Sequence, residues 1–262
     1  MAILKGDLEF TGSIGGLSAY KVKGIDKTIL RSKGGANKKQ ILKSPAFVRT
    51  RENYTEFAAC AKLGGSIRRS MLAMAPLADY NFTPLLSSLA KTIQCLDTES
   101  KRGERNILLS QHKNLLVGFS LNRNTSFESI VKHPIHCSID RDAGKAVVQL
   151  PSLMPGVNLM TSKQYPLFRF VINLGYVADR VFGTKGYVEE GDNENCCVYT
   201  DWHHTAELFE ERELIAQLKD ISDIKESSTF ILSVGIQMGI PVTNTVVNPV
   251  KYAGCAKIMA VA

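Results

Sequence analysis

Apolar and polar positions alternate in short runs at the start of the chain and then change to a helical period. Residues 17–23 (LSAYKVK) and 28–33 (TILRSK) read as strands, and Gly24-Ile-Asp-Lys27 between them predicts a β-hairpin. Gly12, Gly15, Gly16, Gly34 and Gly35 bracket this hairpin, and residues 37–43 follow as a polar link. Ser44-Pro45 then places a capping residue before a proline at the first helical position, which predicts a helix start. Phe47, Tyr54, Phe57, Ala58 and Ala61 recur at helical spacing as its apolar side, with Arg49, Arg51, Lys62, Arg68 and Arg69 on the wetter side. Gly64-Gly65 predicts either a break or a close packing point, and Pro76 ends the segment at the latest. Thr83-Pro84 repeats the start signal, and Leu85, Leu86, Leu89, Ile93 and Leu96 form a second stripe. An antiparallel helix pair follows.

Residues 97–105 (DTESKRGER) form a charged connector, after which the pattern turns to strands and turns. Strands are predicted over 115–121, 135–140, 146–150, 167–177, 196–202, 207–218, 230–238 and 252–261, with 207–218 reading equally well as a helix. Residues 140–145 between two of them read as a hairpin turn, while 168–172 and 230–234 read as central strands. The predicted fold is α+β. A basic N-terminal hairpin arm (1–43) leads into a helical pair with its connector (44–105) and a mainly antiparallel β-sandwich (106–262).

At 262 residues, 44% hydrophobic and 22% charged, the composition excludes collagen, long coiled coil and wholesale disorder. The most apolar stretch, 230–242, is too short to span a bilayer. Lys5, Asp7 and Glu9 fall where a secretory signal needs an apolar run. The expected location is therefore the cytoplasm at synthesis, with no membrane partner, and later release within a particle. The six cysteines (Cys60, Cys95, Cys137, Cys196, Cys197, Cys255) are too sparse for a disulfide scaffold and are expected to be reduced.

Charge changes the picture more. Residues 1–119 carry 19 Lys/Arg against 9 Asp/Glu, and residues 120–262 carry 13 against 16. A basic end of this size calls for a partner: nucleic acid, an acidic surface, or the acidic half of a neighbouring copy. The basic side comprises Lys21, Lys23, Lys27, Arg31, Lys33, Lys38, Lys39 and Lys43, with Tyr20 as the one interleaved aromatic. The matching acidic group comprises Glu189, Glu190, Asp192, Glu194, Glu210, Glu211 and Glu213.

Chemistry is sparse. Zinc requires three or four converging N/S ligands. His203 and His204, near Asp201 and Cys196-Cys197, are weak candidates because neighbours on a strand point to opposite faces. His133, His136 and Cys137 are weaker still. Gly12-Ser-Ile-Gly15-Gly16 matches neither a P-loop nor a dinucleotide fingerprint, and no nucleophile elbow occurs. No cofactor and no catalytic residue are expected.

Gly12-x-x-Gly15, the strand at 17–20, Gly24 with its following strand, Arg31-Ser-Lys33-Gly34 and the Pro45…Arg49…Arg51…Phe57 helix start occur together in the first seventy residues. On these the chain resembles a family of bacterial proteins of the Bacteroidetes type for which no activity is established. The resemblance implies no catalytic residue. The expected function is a non-enzymatic, self-assembling structural subunit of a filament, tube or phage-tail-like particle, joined head-to-tail. The alternative is a nucleic-acid-associated protein acting through the same arm. A ligand-binding or enzymatic β-sandwich stands third.

Overall fold

The computed structural model describes residues 2–3, 10–162, 164–189, 194–222, 224–243 and 245–262. The chain divides into two compact units, residues 1–51 and 52–262.

In the first unit, β1 (Ala2–Ile3), β2 (Gly12–Ile14), β3 (Leu17–Tyr20) and β4 (Ile29–Ser32) make an antiparallel sheet in the order β1-β4-β3-β2. The expected hairpin is β3–β4, paired from Leu17↔Ser32 to Tyr20↔Ile29. Its connection runs from Lys21 to Thr28, longer than the four residues read from the sequence. The expected polar link instead forms α1 (Lys38–Lys43), because Asn37 and Gln40 make a reciprocal capping box. The Gln40 N–H donates to Asn37 Oδ1 at 2.8 Å, and the Asn37 N–H donates to Gln40 Oε1 at 2.9 Å. Ser44 caps a 3₁₀ turn at Pro45–Phe47, and Arg51 Nη1 donates to the carbonyls of Ile41 and Ser44 at 2.6 and 2.9 Å.

The second unit takes in most of α2 (Val48–Ser70), followed by a 3₁₀ segment at Leu72–Leu77, α3 (Thr83–Leu96) and the short α4 (Phe127–Ile130). Its strands are β5 (His136–Asp140), β6 (Lys145–Leu150), β7 (Leu167–Ala178), β8 (Arg180–Gly183), β9 (Gly186–Glu189), β10 (Asn195–Tyr199), β11 (His203–His204), β12 (Arg212–Gln217), β13 (Ser228–Pro241) and β14 (Val247–Val261). The central sheet runs β10-β7-β13-β14, with β11 also on β7; a second sheet runs β12-β6-β5.

Alternation along the central strands feeds two cores. Phe168, Phe170, Ile172 and Leu174 of β7 join Phe230, Leu232, Val234 and Ile236 of β13 against Ala146, Val148, Leu150 and Ala216 of the second sheet. Val171, Val177 and Ile231 face the other way, onto Leu63, Ile67, Met71, Met74 and Leu77 of the helical segments. The result is a helix layer, the central sheet and a smaller sheet. The class is α+β as expected. The strands fall into several antiparallel sheets: the central sheet shares one core with the β12-β6-β5 sheet, and the helical segments cover its other face. The outer strands of the two facing sheets meet, β14 beside β5 and β10 beside β12, without pairing.

Small residues on the helix-facing side of the sheet allow this close approach. Asn173 Nδ2 donates to the Ser70 carbonyl at 2.7 Å, satisfying one of the acceptors left over at the end of α2. A Cβ at Gly235 would lie 2.5 Å from Leu77 Cδ1 and 3.1 Å from the Cys255 carbonyl.

Several sequence expectations change. In α2 the apolar set points outward: Phe57 is 64% and Tyr54 59% exposed. The buried face is Glu56, Ala59, Cys60, Leu63, Gly64 and Ile67, since a helix packed this tightly takes small residues inward and a charged one that is fully paired. Gly64-Gly65 does not break the helix; Gly64 is the close packing point, 2.9 Å from its would-be Cβ to Ser87 N. The strand expected at 115–121 is a 3₁₀ turn at Lys113–Leu116 and an irregular segment. Gly118 takes φ +85°, and the segment still bonds β14 through Gly118 N to Ile258 O and Leu121 N to Ala256 O, both 2.9 Å. The ambiguous 207–218 resolves as strand over β12, with Leu214 and Ala216 packed on the core between the two facing sheets. The β8–β9 hairpin, turning at Gly183-Thr-Lys-Gly186, was not anticipated.

One buried charge ties the connector to the helices. Glu56 accepts from Arg105 Nε and Nη2 at 2.7 and 2.6 Å, from the Gly103 N–H at 2.8 Å and from Lys91 Nζ at 2.7 Å. The bidentate Arg105 holds its carboxyl down to about 2, Lys91 and Gly103 adding to the effect against the cost of burial.

Candidate functional site

The first unit concentrates the charge. Residues 1–51 hold eleven Lys/Arg against three Asp/Glu, a net of +8, while residues 52–262 hold 21 against 22. Lys21, Lys23, Lys27, Arg31, Lys33, Lys38, Lys39 and Lys43 are all exposed. The β3–β4 connection, β4 with the residue after it, and α1 hold these side chains out, and the Arg31 guanidinium lies 5.5 Å from the Tyr20 ring centre. Between residues 12 and 43 only Ala19, Thr28 and Ile29 are buried. Ile14, Leu17, Val22, Ile25 and Leu42 are exposed there.

The acidic residues within the described part, Glu194 on one hand and Glu210, Glu211 and Glu213 on the other, do not gather at one place. Glu190, Asp192 and the Glu189 side chain lie outside the described residues. Glu210, Glu211 and Glu213 are exposed at the start of β12, near exposed Leu208 and Ile215. Glu194 is half-buried and accepts from the Lys219 N–H at 3.3 Å, past the far end of that strand. The six-residue step from Glu213 to Lys219 puts about 20 Å of chain between the two groups.

His203 and His204 pair with Phe168 and Leu167 on β7. The His203 ring packs 4.9 Å from Phe209 and 6.0 Å from Phe168, and burial, with Arg212 adding, lowers its pKa. His204 is exposed, its Nδ1 accepting from the Ala206 N–H at 3.3 Å. Cys196 and Cys197 pair with Leu174 and Asn173, further along the same strand. His133 and His136 are exposed while Cys137 packs toward the core. Among the described residues no three His, Cys, Asp or Glu side chains converge as metal ligands.

A feature that the sequence reading missed lies at the β13–β14 irregularity. Gln237 pairs with Gly254 and Gly239 with Pro249, so four residues of β14 bulge opposite Met238. Within the bulge Tyr252 is 70% exposed with φ +61°, in the left-handed region, and Gly254 takes φ +123°. Asn122 fastens the bulge: its Nδ2 donates to Leu77 O at 2.8 Å and Gly254 O at 3.3 Å, and its Oδ1 accepts from the Ala256 N–H at 2.9 Å. Tyr252 borders two clefts of about 460 and 470 Å³ that share Asp79. Asp79 is oriented by the Arg123 N–H at 2.9 Å and the Asn124 N–H at 2.8 Å. Nothing in the local sequence marks this place, because the bulge depends on the pairing of distant strands.

No protein-family model, no curated protein and no solved structure matches this chain. Among the described residues no helix is long and apolar enough to cross a membrane.

Proposed function

We propose that the protein is a non-enzymatic structural subunit that joins copies of itself head-to-tail through its basic N-terminal unit, building a filament, tube or tail-like particle. The observation that carries this reading is the imbalance of the first unit. Three buried residues between 12 and 43, against five exposed large apolar ones, give too little burial to offset the entropy of ordering it. A surface supplied by a neighbour would make up the difference. The start of β12 offers the matching chemistry, apolar Leu208 and Ile215 beside Glu210, Glu211 and Glu213. Contact between two different surfaces of one chain propagates into rings or fibres.

Light scattering and electron microscopy of charge-reversed variants test it. Lys38, Lys39 and Lys43 changed together to Glu should weaken association, and Glu210, Glu211 and Glu213 changed to Lys in the same chain should restore part of it. Glu at 38 and 39 suits the N-terminus of α1, whereas Lys43 ends the helix, so Lys43→Gln in place of Lys43→Glu is the control that spares the helix end a carboxylate.

A second reading, nucleic-acid association, draws on the eight exposed cations and the Arg31–Tyr20 stack. It requires tight binding by a monomer, a log–log salt slope of about −0.9 per phosphate contacted on duplex DNA, and no rescue by acid reversals.

A further inference from the structure

We propose that the paired clefts flanking Tyr252 bind a neutral carbohydrate, with the Tyr252 ring stacking on a sugar face and Asp79 accepting hydrogen bonds from its hydroxyls. This site is independent of the assembly reading and lies wholly within the second unit.

The backbone argument comes first. A tyrosine held at φ +61° costs free energy that glycine would not, and such a position persists only where the surroundings enforce it. Here Asn122 fixes the strand where it re-enters the pairing just past the bulge, through three hydrogen bonds to Leu77, Gly254 and Ala256. Yet the ring so placed is 70% exposed and adds little to the core. A strained backbone that ends in an exposed aromatic between two clefts presents that ring to something outside the chain.

The lining says what kind of ligand. The cleft on the Asn122 side carries the hydroxyls of Thr125, Ser129, Thr161, Ser162 and Tyr165, with Ile130 and Met160 as apolar floor. Hydroxyls both donate and accept, which suits a ligand that does the same at every position. Among the described residues lining that cleft there is no Lys or Arg, and Asp79 repels anions. The single cation of the other cleft, Arg68, is occupied: its Nη1 donates to Thr83 Oγ1 at 2.8 Å, and its guanidinium lies 5.3 Å from the Phe82 ring centre. Phosphate, nucleic acid and carboxylate ligands are thereby disfavoured. A polar lining disfavours lipid. A pyranose fits, since its axial C–H face packs on an aromatic ring while its hydroxyl edge meets carboxylate and hydroxyl groups.

The test titrates the full chain with cellotetraose, maltotetraose, mannotetraose and N-acetylchitotetraose, using calorimetry and saturation-transfer NMR, with hexametaphosphate as the anionic probe. At least one tetrasaccharide should bind below about 10 mM and hexametaphosphate should leave the cleft untouched. Tyr252→Gly should weaken binding at least about tenfold while leaving the melting temperature unchanged or raised, because glycine relieves the left-handed strain. Tyr252→Phe should bind within about threefold of wild type, since only the hydroxyl is lost. Thr161→Val, nearly isosteric, should weaken binding about three- to tenfold, the effect of one hydrogen bond. The proposal is overturned if no tetrasaccharide binds, if Tyr252→Gly binds like wild type, or if hexametaphosphate takes the cleft instead. A fall in melting temperature for Tyr252→Gly would show that the ring supports the fold, and would overturn it equally.

Discussion

The Ser70 carbonyl oxygen occupies the space that a Cβ on Gly175 would need. The end of α2 thus rests on the backbone of the central sheet, with Asn173 on the same strand donating to that carbonyl. Gly175→Ala should lower stability by about 2 kcal/mol or more, because the obstacle is backbone and cannot swing aside. Thermal unfolding should report this as a loss of about 4–8 °C.

The adjacent glycines of α2 should respond with opposite signs. A Cβ at Gly64 meets Ser87 N at 2.9 Å, whereas at Gly65 it meets only the tip of Arg69 at 3.6 Å. Gly64→Ala should destabilise by about 1–3 kcal/mol, the cost of overpacking. Gly65→Ala should stabilise by about 0.5–1 kcal/mol, the helix-interior difference between the two residues. Equal effects in chemical denaturation would remove the close contact from the account of helix packing.

Glu56 should give the fold an acid limb. Its carboxyl is held at about 2 by Arg105, below an ordinary value near 4.5. The stabilisation is therefore complete above about pH 4.5 and is lost as pH falls toward 2. Glu56→Gln should cost about 3–5 kcal/mol at neutral pH, since Arg105 and Lys91 lose their charged partner. It should also flatten the dependence of the urea midpoint on pH within that window. An unchanged acid slope in the variant would place the titrating group elsewhere.

Thiol labelling should resolve the cysteines by burial. Cys95 is exposed, whereas Cys60 and Cys255 are buried. Burial raises the Cys60 thiol to about 11 and pushes Cys255 higher still. At mildly alkaline pH Cys95 should react first in the native protein, identified by mass spectrometry, the half-buried Cys137, Cys196 and Cys197 more slowly, and the buried pair only on unfolding. Early modification of Cys60 would contradict the packing of α2 against Gln94, whose Oε1 accepts from that thiol at 3.4 Å.

Periodicity made the strong elements legible. The runs at 168–172 and 230–234 read as central strands because both faces are buried, and they are the centres of β7 and β13. The Ser44 cap before Pro45 followed from local chemistry, which needs no tertiary partner, whereas at α3 only the proline signal held, since Thr83 is itself the first helical residue and its hydroxyl accepts from Arg68 instead of capping. Tyr54 and Phe57 misled for a physical reason: hydrophobic spacing marks a helical face but not its direction. What sets the direction of α2 is the pairing of Glu56 with Arg105, Lys91 and Gly103, three partners distant in sequence. The β8–β9 hairpin escaped because its four-residue strands are too short for alternation to stand out. The clefts beside Tyr252 arise from a mismatch between β13 and β14, which exists only once those strands are paired.

The concentration of charge in residues 1–51 has a colloidal consequence. With +8 on that unit and 21 Lys/Arg against 22 Asp/Glu on the rest, the larger part is almost neutral and contributes little long-range repulsion of its own. Proteins near zero net charge tend to associate and precipitate. The N-terminal unit is then the chain's solubilising tail, and whatever neutralises it also withdraws the repulsion that keeps the bodies apart. On the proposed assembly reading, capture of the tail and condensation of the bodies would be a single event, triggered by the arrival of opposite charge.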